Sequence, residues 1–331
     1  MTSASTLPRV IVIGASAGGV AALLDLVSEL PADLRAVVGV VLHVGNQHSI
    51  LPELLAERGK LPAAHACAGE PLVPGRIYVA PPDQHMLFTP GGVNLNYGPL
   101  ENHARPAIDP LFRSVALHWG AGAIGVVLTG YLDDGTAGLA AIKRCGGIAM
   151  VQDPATALEP SMPASAVANV DVDYCLPLAG IAAALCEQVQ VPAAAGHVAD
   201  DALRGEQAVF EGNNPIENLQ AVAQQTVFTC PDCGGGLWEM NDKRPLRYRC
   251  HTGHAFTARS LRSLQSEVAE HAMWSSVRAL KERELLLRRL ATVSMATGDE
   301  HQAGAGLREA ARVRDQIKAL TGMIEGQTSS A

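Results

Sequence analysis

Aromatic residues are scarce in this chain, 4% of 331 positions, and charged residues are few, at 18%. With so few large rings, the core must be filled by small and branched aliphatics, and a hydrophobic fraction of 48% supplies enough of them to exclude disorder for the bulk of the chain. No apolar run approaches the roughly 20 residues of a bilayer-spanning helix. Met1 to Pro8 lacks both the basic and the apolar regions of an export signal. An excess of positive charge is missing as well: the formal net charge is -8, with 9 basic against 15 acidic residues up to position 180. Only from position 226 onward do basic residues, 15 against 12, exceed acidic ones. Such a body is a poor partner for a phosphate backbone. Neither nucleic-acid binding nor membrane insertion is expected, and the expected location is cytoplasmic. Seven cysteines are an odd number, and Cys67, Cys145, Cys175 and Cys186 lie scattered in apolar stretches, unlike a secreted disulfide framework.

A chain of this length holds roughly two domains of about 150 residues. From Arg9 to about Leu185, short Val- and Ile-rich runs alternate with longer amphipathic stretches, which predicts an α/β fold with a doubly wound, mainly parallel sheet. Expected strands are Arg9 to Ile13, Ala36 to Leu42, Arg76 to Ala80, Ala123 to Leu128, Gly147 to Val151 and Val172 to Leu176. His85 to Thr89 and Val93 to Tyr97 flank Pro90, Gly91 and Gly92 and read as a β-hairpin. Asp109 and Pro110 read as the N-cap and first residue of a helix. The expected organisation is an α/β domain over 1–186, a loosely packed linker over 187–225, a compact Cys- and His-containing module over 226–257 and a helical hairpin or coiled coil over 258–331; the residues read below make the first of these the catalytic domain and the third a zinc-ribbon-like module. In the last part, Ala310, Val313, Ile317, Leu320 and Ile324 recur at helical spacing.

The first strand runs into Gly14-Ala15-Ser16-Ala17-Gly18-Gly19, and three readings of this turn compete. A dinucleotide site would require the G-x-G-x-x-G spacing and an acidic end to the second strand, and both are missing. A purely structural turn is the plainest reading. The third makes Ser16 a nucleophile whose oxyanion would face backbone N–H groups of the following helix. It requires a base and an orienting acid. His43 ends the second strand, and the strand from Ala123 delivers Asp133 and Asp134, so Ser, His and Asp would meet at the carboxyl edge of one sheet. His48, His85 and His103 are rival bases. Arg105 and Arg113 read either as partners of local carboxylates or as a grip on an acidic helix.

At this point the sequence resembles the catalytic domain of the CheB-type chemotaxis-receptor methylesterases. The resemblance covers Arg9 to Leu185 and rests on the blocks Val12 to Gly19, Val41 to His43, Tyr78 to Pro82, Arg105 to Ser114, Leu128 to Gly138 and Met162 to Pro163. It implies Ser16 as nucleophile, His43 as general base and Asp134, which precedes Gly135, as orienting acid; Asp133 is then expected to face solvent or cap a helix. It also implies an oxyanion hole from the backbone N–H groups of Ala17 and Tyr131. The chain departs from the family at both: Ala17 stands where Thr is common, and Tyr131-Leu132 where Met-Gly is common. The implied reaction is demethylation of glutamate methyl esters in chemoreceptors and deamidation of receptor glutamines, with no catalytic cofactor. Members usually begin with a receiver domain; a resemblance starting at Arg9 leads us to expect none here. The rival reading is a non-catalytic scaffold acting through the zinc module and helices, and a nucleotide-binding enzyme comes third.

Cys230-Pro-Asp-Cys233 and Cys250-His-Thr-Gly-His254 match the ligand spacing of a tetrahedral zinc site. The Cys-x-x-x-His spacing favours His254 over His251 as fourth ligand. Four protein ligands make the expected zinc structural. The module also resembles a C-terminal segment of methylesterase homologues without a receiver domain. The expected partner is a methylated chemoreceptor helical bundle, with self-association through the C-terminal helices, and a chain ending near Leu185 is expected to keep turnover on a small ester.

Overall fold

Seven consecutive buried residues form the first strand, β1 (Arg9–Ala15), and the equally buried β2 (Ala36–Leu42) lies parallel beside it. Burial on both faces is why neither run alternates between apolar and polar residues. The computed structural model describes residues 9–44, 48–193 and 200–328. Residues 1–8 and 45–47 of the expected catalytic domain, 194–199 of the expected linker and 329–331 of the expected hairpin lie outside the described residues.

Helix α1 (Gly19–Glu29) connects β1 to β2, and α2 (Leu51–Arg58), β3 (Ala63–His65) and β4 (Ile77–Val79) follow. The antiparallel hairpin of β5 (His85–Thr89) and β6 (Gly92–Asn96) stands apart from the main sheet. Then come α3 (Ile108–Trp119), β7 (Ala123–Val127), α4 (Thr136–Arg144), β8 (Ile148–Gln152), α5 (Ser161–Asn169), β9 (Tyr174–Leu176) and α6 (Leu178–Gln190). The seven strands of the main sheet, all parallel, run in the order β3-β4-β2-β1-β7-β8-β9. Val10 and Val12 pack with Leu111, Phe112 and Val115 of α3, whereas Ile11 and Ile13 pack with Leu23, Leu26 and Val27 of α1. Each such side chain, fully buried, contributes about 1.5–3 kcal/mol. The chain leaves β1 to build one half of the sheet and returns to β7 on its other side. The crevice beyond the carboxyl ends of β1 and β7 is therefore the switch point where open α/β sheets hold ligands.

Residues 187–225 differ from the loose linker expected. Helix α7 (Asp201–Phe210) is capped by the Asp200 carboxylate, which accepts from the Leu203 N–H at 3.0 Å, and α8 (Pro215–Val222) follows. Leu203 belongs to the core that holds Phe112, and Glu206 and Gln207 are buried with Val209 and Phe210. Two polar residues on the buried face interrupt the apolar stripe that would otherwise have revealed this helix. The strands β10 (Ala223–Thr229), β11 (Gly236–Lys243), β12 (Leu246–Cys250) and β13 (Ala255–Thr257) form a second, antiparallel sheet in sequential order. Helix α9 (Ala258–Ala296) and helix α10 (Glu300–Thr328) complete the chain.

The chain divides into two compact units at Leu261 and Arg262. In the second, Val277 of α9 packs with Val313, Ile317 and Ile324 of α10, and Arg283 pairs with Glu309 at 2.6 Å. Gly298, at φ 84, makes the turn between the helices, and Asp299 caps α10 by accepting from the Gln302 N–H at 2.9 Å.

Candidate active site

Register brings the strand ends together. Ala15 pairs with Leu42, so Ser16 and His43 are the next residues on adjacent strands, and the His43 N–H donates to the Ala15 carbonyl at 3.3 Å. The Ser16 N–H donates to the Thr129 carbonyl at 3.0 Å, which fixes the serine against the segment leaving β7. Gly18, at φ 75, takes the left-handed turn into α1. Gly130 allows a close approach of another kind: a Cβ there would lie 2.8 Å from the Ser16 Cβ and against the Met162 sulfur.

His43 Nδ1 stands 3.2 Å from Ser16 Oγ, and His43 Nε2 stands 2.8 Å from Asp134 Oδ2. An ionised carboxylate only accepts, so Nε2 carries the hydrogen and Nδ1 is free to accept from the serine hydroxyl. Asp134 is buried, and it also accepts from the Ile108 N–H at 2.7 Å and the Gly135 N–H at 2.9 Å. Burial opposes its ionisation, but the hydrogen bond and charge of His43, the Ile108 N–H and the Asn102 amide outweigh it and hold the carboxyl down at about 2. The Ala17 and Tyr131 N–H groups have no protein acceptor among the described residues.

Two expectations about aspartates change. Asp133 neither faces solvent nor caps a helix with its side chain; it is buried and accepts from Thr257 Oγ1 at 2.7 Å. Burial, with the Asp134 charge adding, pushes it up to about 6 against the pull of Thr257 and Arg259. Asp109 is not an N-cap, because α3 begins one residue earlier, at Ile108, and the Asp109 carboxylate accepts from the Gly138 N–H at 2.6 Å on α4. Burial and then the neighbouring Asp134 charge drive Asp109 well above the usual carboxylate range. Of this buried pair, Asp134 holds the negative charge.

The rival histidines lie elsewhere. His85 is fully buried, with Nε2 donating to the Pro99 carbonyl at 3.0 Å and Nδ1 accepting from the Ala107 N–H. His103 pairs with Asp232 at 3.5 Å, and His48 is exposed. Arg105 pairs with Asp83 at 2.8 Å. Arg113 is buried against Glu101 in a two-pronged pair at 2.8 and 2.5 Å, so the packing reading of this arginine describes it.

Cys230, Cys233, Cys250 and His254 each present a ligand atom, and the four atoms lie within 4.8 Å of one another. Cys233 Sγ is 3.7 Å from Cys250 Sγ, and Cys250 Sγ is 3.6 Å from His254 Nδ1. His251 stands outside this group, against Gly235. The signals for Asn102, Thr257 and Ser260, which lie around the aspartates, and for Glu206, held by buried arginines, are absent from any local motif.

The family model described as CheB methylesterase matches residues 11–185. The protein-glutamate methylesterase/protein-glutamine glutaminase 5 of Anaeromyxobacter dehalogenans is 39% identical over 184 residues, 53% of this chain and 50% of that protein. A protein of the same name, numbered 2, from Rhizobium johnstonii is 35% identical over 184 residues, 54% and 50% of the two chains. The chain thus spans about half the length of the curated relatives it matches. The crystal structure of the Thermotoga maritima CheB methylesterase catalytic domain superposes with a TM-score of 0.53 at 32% identity, covering 55% of this chain and 98% of that one. Because the match takes in more than half of the chain and includes all three strand ends that meet in the crevice, this chain belongs to the CheB methylesterase family.

Proposed function

We propose that the chain is a serine hydrolase that converts glutamate γ-methyl esters of chemoreceptors to glutamate and deamidates receptor glutamines. The observation that carries this reading is the continuous chain of hydrogen bonds Ser16 Oγ–His43–Asp134, at 3.2 and 2.8 Å, opening on the switch-point crevice. Ser16 Oγ attacks the ester carbonyl carbon while its proton passes to His43 Nδ1, and Asp134 stabilises the resulting imidazolium through Nε2–H. The N–H groups of Ala17 and Tyr131 are the donors for the tetrahedral oxyanion. As the C–O bond breaks, His43 returns the proton to the leaving methoxide and methanol departs, leaving a glutamyl ester on Ser16. Water then gives its proton to His43 and its oxygen to the carbonyl, and Ser16 leaves with the proton. With a carboxamide the leaving group is ammonia and the steps are the same. The seven free cysteines suit a reducing cytoplasm, and among the described residues no helix is long and apolar enough to cross a membrane.

The Tyr131 side chain is 59% exposed beside the crevice and its hydroxyl donates to Glu159 at 2.8 Å, which supports a part in choosing the substrate. The Cys/His group suits a structural zinc ion: with Zn–S near 2.3 Å, tetrahedral geometry puts sulfurs about 3.8 Å apart, close to the 3.7 Å between Cys233 and Cys250. Four protein ligands leave no position for a reacting water. Exposed Leu285, Leu286, Leu290 and Val293 on α9 support self-association or receptor contact through that helix, which light scattering of the full chain against a Leu286→Glu, Leu290→Glu variant would detect. The test of the main reading is methanol release from methylated chemoreceptors, with label from a serine-directed fluorophosphonate mapped by mass spectrometry. Turnover by the wild type, none by Ser16→Ala, and label on Ser16 are expected; an inactive, unlabelled wild type would favour a scaffold.

A further inference from the structure

The Asp134 carboxylate takes one more hydrogen bond from a side chain, and that donor leads away from the strand ends. Asn102 Nδ2 donates to Asp134 Oδ1 at 3.1 Å and to Asp109 Oδ2 at 3.2 Å. The oxygen of the same amide accepts from the Thr257 N–H at 3.0 Å and from the Ser260 hydroxyl at 2.9 Å. These partners settle which way the amide points, since a backbone N–H can only meet its oxygen. The segment carrying Asn102 is itself laid along β13: the Asn102 N–H donates to the Ala255 carbonyl at 2.8 Å, and the Ala255 N–H to the Leu100 carbonyl at 3.3 Å. Asn102 has φ 50, in the left-handed region that asparagine tolerates better than most side chains.

The adjoining residue anchors the same junction. Glu101 is held by Arg113 of α3 and by Arg249 of β12 at 2.9 Å, and Arg249 and Arg247 reach Glu206 of α7 at 2.8 and 2.6 Å. All five charges are buried. Docking takes these charges out of water together, and the full set of pairs exists only while β12 and α7 lie against the Glu101 segment. Thr257 adds a third link through its hydroxyl to Asp133.

We propose that Asn102 is a positioning residue for the hydrolytic site, and that the junction from Thr257 to Ser260 sets its amide, so that the orientation of Asp134 depends on the β10–β13 module being docked on the catalytic domain. This rests on the reading of Ser16, His43 and Asp134 as the reacting triad. Asn102 is the neutral member of a crowded titratable group: Asp134 is faced by His43 from the end of β2, Asp109 from α3, Asp133 beside it and His85 from β5. Its two amide hydrogens separate the Asp134 and Asp109 carboxylates and compensate part of the Asp134 charge. Without them Asp134 would tilt, and its less compensated charge would attract the imidazolium formed during attack more strongly, which moves the acid limb of the rate profile to higher pH.

The test compares full-length wild type, Asn102→Ala and Ser260→Ala on a small N-acylated glutamate γ-methyl ester, with pH profiles of kcat/KM, metal content and circular dichroism. Asn102→Ala is expected to lower kcat about 10- to 100-fold, the scale of a small misplacement of a reacting group, with KM little changed and the acid limb of kcat/KM moved to higher pH. Ser260→Ala removes one donor from the Asn102 oxygen without touching either carboxylate, and is expected to shift both readouts the same way by a smaller amount, with metal content and fold retained. A wild-type kcat and pH profile in Asn102→Ala would overturn the proposal, and so would a change confined to KM. Should Asn102→Ala fail to fold, an unchanged pH profile in folded Ser260→Ala would overturn it equally. Failure of the triad reading has a different mark: wild type itself would show no turnover and no fluorophosphonate label on Ser16.

Discussion

The Asp134 carboxylate caps the helix that starts at Ile108: its Oδ2 accepts from the Ile108 N–H at 2.7 Å while the same oxygen accepts from His43 Nε2 at 2.8 Å. One carboxylate thereby closes the N-terminus of α3 and orients the imidazole at the end of β2. His43 first, and then the Ile108 N–H at the helix start, where free N–H groups favour a negative charge, keep Asp134 ionised although it is buried beside Asp109.

Ser16→Ala and His43→Ala should each remove nearly all ester hydrolysis, by about 10⁴-fold or more in kcat, and the double variant should be little worse than either, because the members of a triad act as a unit. Asp134→Asn should fall sharply and also lose stability, since it offers α3 a weaker cap. Steady-state methanol release checks the first part, and additive losses in the double variant would contradict it.

Asp133 and Asp134 should affect stability with opposite pH dependence. Asp134 is depressed in the fold, so its contribution is present above the unfolded value near 3.8 and is lost as pH falls toward about 2. Asp133 is raised to about 6, so its ionisation opposes folding increasingly as pH rises from 3.8 to 6 and fully above that. Asp133→Asn relieves that cost, by up to about 3 kcal/mol at pH 8 and by nothing below pH 4, while leaving activity near the wild type. Thermal melts at the two pH values measure it; equal shifts at both would count against the burial of Asp133 as an anion.

Zinc should copurify at one equivalent, and Cys230→Ser should lose it. Arg249 donates to the Gly253 carbonyl within the Cys250–His254 turn at 2.8 Å as well as to Glu101. Loss of the metal should therefore lower kcat on a small ester as well as the melting temperature, because the turn helps seat β12 and β13 against the Asn102 segment. Elemental analysis beside kinetics gives the answer, and full activity in zinc-free protein would separate the module from catalysis.

A chain ending near Leu185 was expected to keep turnover on a small ester, and the partners found beyond Leu185 lead us to predict the opposite. Such a cut strips Glu206 and Arg249 from Glu101 and Arg113, and Thr257 and Ser260 from Asn102. Glu101 and Arg113 keep each other, but the surface that α7 and the β10–β13 module cover is left wet and Asn102 loses the partners of its oxygen, so the fragment should be poorly soluble or, if soluble, much reduced in kcat. A chain ending at 261 keeps every one of these partners and should retain small-ester turnover. Equal activity of the shorter and longer chains would refute this account.

The layered α/β fold, the strand ends and the serine turn were legible because each is written locally: a doubly buried strand is an unbroken Val/Ile run, and a tight turn into a helix demands glycine. The Cys-x-x-Cys and Cys-x-x-x-His spacings were equally local. Sequence alone could place Ser16, His43 and Asp134 at one sheet edge, but it could not make Asp133 buried, exclude His85 or reveal that Glu206 and Asn102 matter. Those facts depend on partners such as Arg249 and Glu101, 148 positions apart, or Thr257 and Asn102, 155 apart. A buried polar residue in a sequence looks like a surface one until its partner is found, and the composition of 187–225 therefore read as a linker. Local chemistry chose the elements; which polar groups lose water together, and so which charges must be paired, was decided only when the tertiary packing brought the C-terminal module onto the loop that carries Asn102.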